Sequence, residues 1–186
     1  KKDSVMKKLL ILLCSILISF NSYGEKLNSL FGITLYDNAE KHISSNYIDS
    51  NKIKNRETID GYFELLITDE IKTKSPYASY YLIVIDNDNK VHQVYGARIV
   101  DNLDICQAIR KDLLSSLEEK YQIDFDYWEN TYPTFKIYSN FYNTSSYNKY
   151  AIQCNEDYSD SSIYFQIYIN SSNLRKAIAE FYDAGL

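Results

Sequence analysis

Ile163-Tyr164-Phe165-Gln166-Ile167-Tyr168-Ile169 alternates without a break. Its Ile and Phe side chains point one way and its Tyr and Gln side chains the other, the period of a β-strand with one apolar and one polar face. Such a strand belongs in an antiparallel sheet packed on one side. Immediately downstream, Ser171 or Ser172 is placed to cap a last helix. Leu174, Ala177, Ile178, Phe181 and Tyr182 recur at helical spacing and mark its expected buried face. Upstream, Tyr150–Asn155, Thr134–Tyr138 and Phe125–Trp128 read as further strands.

The main helix begins at a cap supplied by Asn102 or Asp101 and runs to about Tyr121. Before it, Tyr80–Ile85 and Val91–Tyr95 flank Asp86-Asn87-Asp88-Asn89-Lys90, a turn-rich insert that predicts a β-hairpin. Tyr62–Thr68 alternates, with Phe63, Leu65 and Ile67 on one face. Leu30–Leu35 reads as a short opening strand. Asp37 is a candidate N-cap with Glu40 three residues on, and the polar residues 46–61 read as a loop. These elements predict an α+β fold: one domain, a mostly antiparallel sheet, and two main helices (about 102–121 and 172–184) packed largely on one face.

The first 24 residues read differently. Met6-Lys7-Lys8 is basic, Leu9–Phe20 is an almost wholly apolar run, and Ser22 and Gly24 are small residues spaced for cleavage before Glu25. These three parts make a secretory signal over residues 1–24, with the folded domain at 25–186. The apolar run is too short for a spanning helix, so no membrane span is expected once the signal is removed. Leu13 is bulky where a lipidation site at Cys14 would need a small residue. The expected location is the periplasm or the medium.

Two cysteines remain beyond the signal, Cys106 and Cys154, and an exported chain with an even count predicts a disulfide between them. Cys106 shares a helical stripe with Ile109, Leu113 and Leu117, and Cys154 alternates with Tyr150 and Ile152, so both face inward. With only His42 and His92 beside them, and no ligand spacing, no metal site is expected.

Composition narrows the function. The formal charge is −5 over the whole chain and becomes −8 without the signal, which carries four Lys and one Asp. That balance argues against nucleic-acid binding, which needs clustered cations. With 45% hydrophobic and 24% charged residues the chain folds rather than staying disordered. No nucleophile-elbow, zincin or P-loop motif is present, and no cofactor is expected. Asp86, Asp88 and Asn89 match only the start of a calcium loop, because Lys90, Val91 and Ala97 occupy positions that need a ligand, a Gly and a bidentate Glu. His42 and His92 read as ordinary exposed or half-buried residues.

Aromatic content is the unusual feature, with 19 Tyr in the chain. Trp128, Tyr132, Tyr138 and Tyr142 lie among Asn and Ser between the main helix and Cys154. They are the candidate binding residues, able to stack on sugar rings or to anchor a protein. The sequence therefore favours a small exported binding, accessory or inhibitor-like protein over an enzyme, its partner an envelope protein or a glycan. The alternatives are a small hydrolase using His92 or a carboxylate pair, and a subunit whose free sheet edge docks a partner strand. Expression with the native leader should yield a product whose intact mass starts at Glu25 and whose cysteines resist alkylation. An uncut product with two reactive thiols beyond the leader would overturn the export reading.

Overall fold

The computed structural model describes residues 27–54 and 59–184. The expected signal, Lys1–Gly24, lies outside them. In chain order the elements are β1 (Ser29–Leu30), β2 (Ile33–Thr34), a 3-10 turn (Ala39–Lys41), α1 (Ser45–Asn51), β3 (Ile53–Lys54), β4 (Tyr62–Leu66), β5 (Tyr80–Asp86) and β6 (Val91–Val100). Then come α2 (Leu103–Tyr121), β7 (Asp126–Thr131), β8 (Phe135–Asn143), β9 (Lys149–Asp157), β10 (Ile163–Asn170) and α3 (Ser172–Ala184).

Strands β3 to β10 form one antiparallel sheet in the order β3-β4-β5-β6-β10-β9-β8-β7. It consists of two meanders, β3 to β6 and β7 to β10, joined by α2. The second meander runs back from the far edge, so β10 pairs with β6 along its whole length, from Ile163 opposite Val100 to Asn170 opposite Gln93. Having β9 on its other side, β10 is an inner strand, and its residues alternate between buried and half-buried at every step. The periodicity of 163–169 is clean because both neighbours enforce it.

One face of the sheet is the core. On it Cys154, Ile152 and Tyr150 lie beside Phe165, Ile167 and Ile169, and these stand beside the inward residues of β6 and β5, such as Val94 and Ile83. Helix α2 crosses β9, β10 and β6 on this side. Asn102 caps it, its side chain accepting from Ile105 N–H, and Gln122 closes it in the left-handed conformation. Cys106 on α2 and Cys154 on β9 are bridged, with Cα atoms 6.0 Å apart. The N-terminal segment covers the rest, contributing Leu27, Leu30, Ile33, Leu35, Ala39, Ile43 and Ile48 to the same core cluster.

The α+β class is as the pattern predicts, and several local readings change. Leu30–Leu35 is not one strand but a hairpin, because Phe31 and Gly32 both take positive φ (54° and 80°). The Phe31 ring packs edge-on to Tyr81 at 4.8 Å. It also lies over Gly96, where a Cβ would come within 2.6 Å of the ring, so this close approach needs glycine. Asn38, not Asp37, caps the following turn by accepting from Glu40 N–H, while Asp37 pairs with Lys41 at 3.0 Å. The expected loop at 46–61 contains α1, capped by Ser44. Its only fully buried residue is Ile48, and Tyr47, half-buried against the core, donates its hydroxyl to the Leu66 carbonyl at 2.6 Å, so two adjacent residues hold the helix and leave no periodicity to read.

Helix α3 lies apart from α2. Its Leu174 is buried but outside the main core cluster, and Arg175 Nη1 donates to Asn143 Oδ1 at 3.1 Å and to the Tyr147 carbonyl at 3.0 Å. Burial fades along the helix: Phe181 and Tyr182, expected on its buried face, are 39% and 51% exposed. Among the described residues no helix is long and apolar enough to cross a membrane.

The bridge closes a segment of 48 residues. Replacing both Cys106 and Cys154 by Ala should lower unfolding stability by about 4 kcal/mol on chain-entropy grounds, read as a fall in urea midpoint, with the slope rising because the unbridged chain unfolds to a less compact state. A loss below ~1 kcal/mol would show that the bridge does not restrain the unfolded chain.

Candidate functional site

The alternation that turns Val94 and Val100 into the core also turns His92 inward, and it is only 4% exposed. This corrects the expectation of an exposed or half-buried residue. His92 Nδ1 lies 2.9 Å from Ser171 Oγ, and Nε2 lies 3.0 Å from Asp86 Oδ2. Ser171 is the N-cap of α3, its Oγ accepting from Leu174 N–H at 3.1 Å. Its own N–H donates to the His92 carbonyl at 2.7 Å. With Oγ occupied as an acceptor, the hydroxyl proton is directed to Nδ1 and the ring N–H on Nε2 to Asp86, a tautomer assigned from the network.

Asp86 anchors the other end. Its Oδ1 accepts N–H groups from Asp88 and Lys90, both at 2.9 Å. Burial pulls its pKa upward, but the bonds to His92 and to these backbone donors outweigh that and hold it below the usual carboxylate value. Tyr36 and Tyr62 pack edge-on against the imidazole, with centroids at 5.6 and 5.2 Å. Burial, then the charges of Asp86 and Tyr36, raise the Tyr62 phenol.

Asp, His and Ser in line are the residue types of orienter, base and nucleophile. The geometry gives them another task. Ser171 is 0% exposed, its Oγ is engaged by the helix cap, and a substrate carbonyl has no approach to it. The network ties the β5–β6 turn to the start of α3.

The opposite face of the sheet carries a different constellation. Strand register places Trp128, Ser139, Gln153, Gln166, Ala97 and Tyr80 in one row across six strands. Asn155 and Tyr164 flank this row on one side, and Phe141, Tyr168 and Tyr95 flank it on the other. Gln153 Nε2 donates to Gln166 Oε1 at 2.5 Å, and Asn155 Nδ2 donates to the same oxygen at 3.0 Å. The Tyr80 and Tyr95 hydroxyls meet at 3.1 Å, and Tyr95 stacks on Tyr168 with centroids 6.5 Å apart. Burial, then the Tyr80 bond, push the Tyr95 phenol far up. Burial pushes Tyr168 up to about 12, against the pull of Arg175. Ser139 Oγ and Asn155 Oδ1 are buried with no hydrogen-bond partner among the described residues.

The four candidate aromatics are divided by the sheet. Trp128, 42% exposed, stands at the end of the amide row. Tyr132 is exposed at the β7–β8 turn, stacked on Phe135 at 4.5 Å. Tyr138 and Tyr142 lie on the core face, partly buried against the cluster, with Lys136 Nζ 4.6 Å from the Tyr138 ring centroid and Tyr142 tilted on Phe125 at 6.0 Å. The structure therefore joins Trp128 to Gln153, Asn155, Tyr164, Gln166 and Tyr168, which the sequence did not single out. The Tyr and Gln phase of 163–169 was a visible signal for three of these, but only strand order shows what lies beside them.

Near the outer edge, Arg110 Nη1 donates to Asn140 Oδ1 at 2.8 Å and stands 5.3 Å from the Tyr127 centroid. Tyr127 donates to Glu129 at 2.6 Å, and Glu129 pairs with Lys136 at 2.7 Å. These groups put charge beside the free edge of β7, a feature that discourages unplanned strand pairing.

No known family model and no curated protein matches the chain.

Ser171→Ala removes a helix cap and leaves His92 Nδ1 unpaired, and should cost about 1–3 kcal/mol in urea unfolding. Asp86 has a depressed folded-state pKa, so its contribution is full above about pH 4 and is lost as the pH falls through the folded value. The wild type should therefore lose stability more steeply than Asp86→Asn on acidification below that pH. Parallel acid limbs would show that the carboxylate contributes nothing through this network.

Proposed function

We propose that the chain is an exported, non-catalytic binding domain and that the polar, aromatic face of its sheet holds a glycan. The observation that carries this reading is the row from Trp128 to Tyr80, flanked by Asn155, Tyr164 and Tyr168. A sugar ring offers C–H faces that stack on aromatic rings, and hydroxyls that both donate and accept. Side-chain amides are matched to those hydroxyls because each carries a donor and an acceptor. Aromatic rings supply contact area at low entropic cost.

Export is supported by the leader-like residues 1–24 and is compatible with the bridged cysteines. The periplasm or the medium is the proposed location, where envelope glycans are at hand. The hydrolase alternative narrows to Asp86, His92 and Ser171, and the burial of Ser171 weighs against it.

Trp128 is the chain's one tryptophan, so its fluorescence reports directly on the row. Titration with a panel of neutral and acidic oligosaccharides should shift Trp128 emission and the side-chain amide resonances of Gln153, Asn155 and Gln166. Trp128→Ala should weaken the binding by about 3- to 10-fold, the worth of one stacked ring. A panel in which no saccharide of either charge moves these signals would sink the reading.

A further inference from the structure

Two cations stand on the same side of the sheet as the amide row, at the end where α3 begins. Lys149 lies on β9, four residues before Gln153 and in the same inward–outward phase, hence about 13 Å along the strand. Its Cα partner on β8 is Asn143, and Arg175 of α3 donates to that Asn143 through Nη1. Both bonds made by Arg175, to Asn143 Oδ1 and to the Tyr147 carbonyl, use Nη1, which fixes the guanidinium while Nε and Nη2 keep their donors. Lys149 Nζ sits 4.8 Å from the Phe141 ring centroid.

Neither Lys149 nor Arg175 belongs to an ion pair among the described residues, although the chain carries 25 carboxylate side chains against 20 cationic ones. Burial, and then the charge of Arg175, lower the Lys149 pKa. Lys149 and Arg175, like charges on neighbouring elements of one face, repel each other, and a shared anion relieves both the repulsion and the desolvation. The chemistry of such a pair is that of a carboxylate or sulfate clamp. Tyr168 bridges the distance to the row: it pairs with Ala151, midway between Lys149 and Gln153, and Arg175 acts on its phenol.

Resting on the glycan reading above, we infer that the ligand is an acidic oligosaccharide, whose anionic group seats between Lys149 and Arg175 while its neighbouring rings lie along Tyr168 and the Gln153–Gln166 row. The separation of the clamp from the row requires an oligomer rather than a single sugar. It also makes recognition bipartite: the amides and rings read the polyhydroxy body, and the cations read the charge.

The test compares a galacturonate hexamer with a galactose hexamer of the same linkage and with a Glu-rich peptide, all followed by Trp128 emission and amide shifts. The acidic hexamer should bind about tenfold more tightly than the neutral one, as a charge-assisted contact implies. The preference should shrink on raising salt from about 0.05 to about 0.5 M. Lys149→Gln, which removes no hydrogen bond that holds the fold, should bring acidic and neutral affinities together and leave the neutral one unchanged. Arg175→Gln should do the same, with its melting temperature checked because Arg175 also ties α3 to the β8–β9 hairpin. Equal binding of the two hexamers, or an acidic preference untouched by Lys149→Gln, would overturn the inference and leave the glycan reading standing. Binding of neither hexamer, with no saccharide of the wider panel binding either, would overturn both. A peptide that binds as the acidic hexamer was expected to, while neither saccharide does, would replace the glycan by an acidic protein partner.

Discussion

The pairing of β10 with β6 is the constraint on which the molecule depends. Each meander alone would have an unpaired strand at this line and half a core. Joined along the eight residue pairs from Ile163 to Asn170, they form one sheet whose inner face is continuous from Leu65 on β4 to Cys154 on β9. Helix α2 must then travel from the end of β6 to the outer edge, and in doing so it crosses β10 and β9 and covers the middle of that face. The Cys106–Cys154 bridge fastens this crossing where the helix passes over β9. The long connection between the paired strands is also where loop-closure entropy is largest, which is why a covalent restraint there is worth having.

A second constraint operates at one end of the sheet. The β5–β6 turn, β6 and α3 meet at His92, whose two ring nitrogens and backbone carbonyl are all engaged. A buried imidazole is costly unless both nitrogens are satisfied. Asp86 can satisfy one because the turn wraps its other oxygen with two N–H groups. Ser171 can satisfy the other because it is already oriented as a helix cap. The same groups in an open cleft would suggest acyl-transfer chemistry; beneath two tyrosines and a helix start they set the direction in which α3 leaves the sheet. Arg175 consequently arrives beside Asn143 and Lys149.

The two faces thus have separate roles. Aliphatic side chains, Phe165 and the disulfide hold the core face, so the other face is free to carry tyrosines and amides. Tyr pairs across strands are stabilising in themselves, and the polar face needs no function to be stable. What sets it apart is the placement of amides between aromatic rings, together with two unneutralised cations in a chain of net negative charge.

Strand identity was legible where alternation was strict, as at 163–169, 62–68 and the 80–95 hairpin, because period-two patterning is a local consequence of one-sided burial. The caps were legible to within one residue, as Asp101 or Asn102 and as Ser171 or Ser172, for a similar reason: a cap bonds within its own first turn, and the structure selects Asn102 and Ser171. The disulfide could be read from cysteine count and phase. Other features were not local. Helix α1 is held by the burial of Ile48 and the bond from Tyr47 to Leu66, contacts with residues remote in sequence. The Phe31–Gly32 turn is held by the Phe31 ring seated on Gly96. His92 could have been placed inward from the phase of Val94, but nothing near it in sequence announces Ser171 as its partner. Tyr138 and Ser139 are neighbours in the chain and lie on opposite faces of the sheet, so the aromatic-rich stretch could not be read as one surface. The sequence decides what each residue does within its own strand or turn, since those forces act over a few residues. Which strands lie side by side, and therefore which side chains share a face, is decided by the joining of the two meanders. That choice depends on burial summed over the whole chain, which no local pattern records.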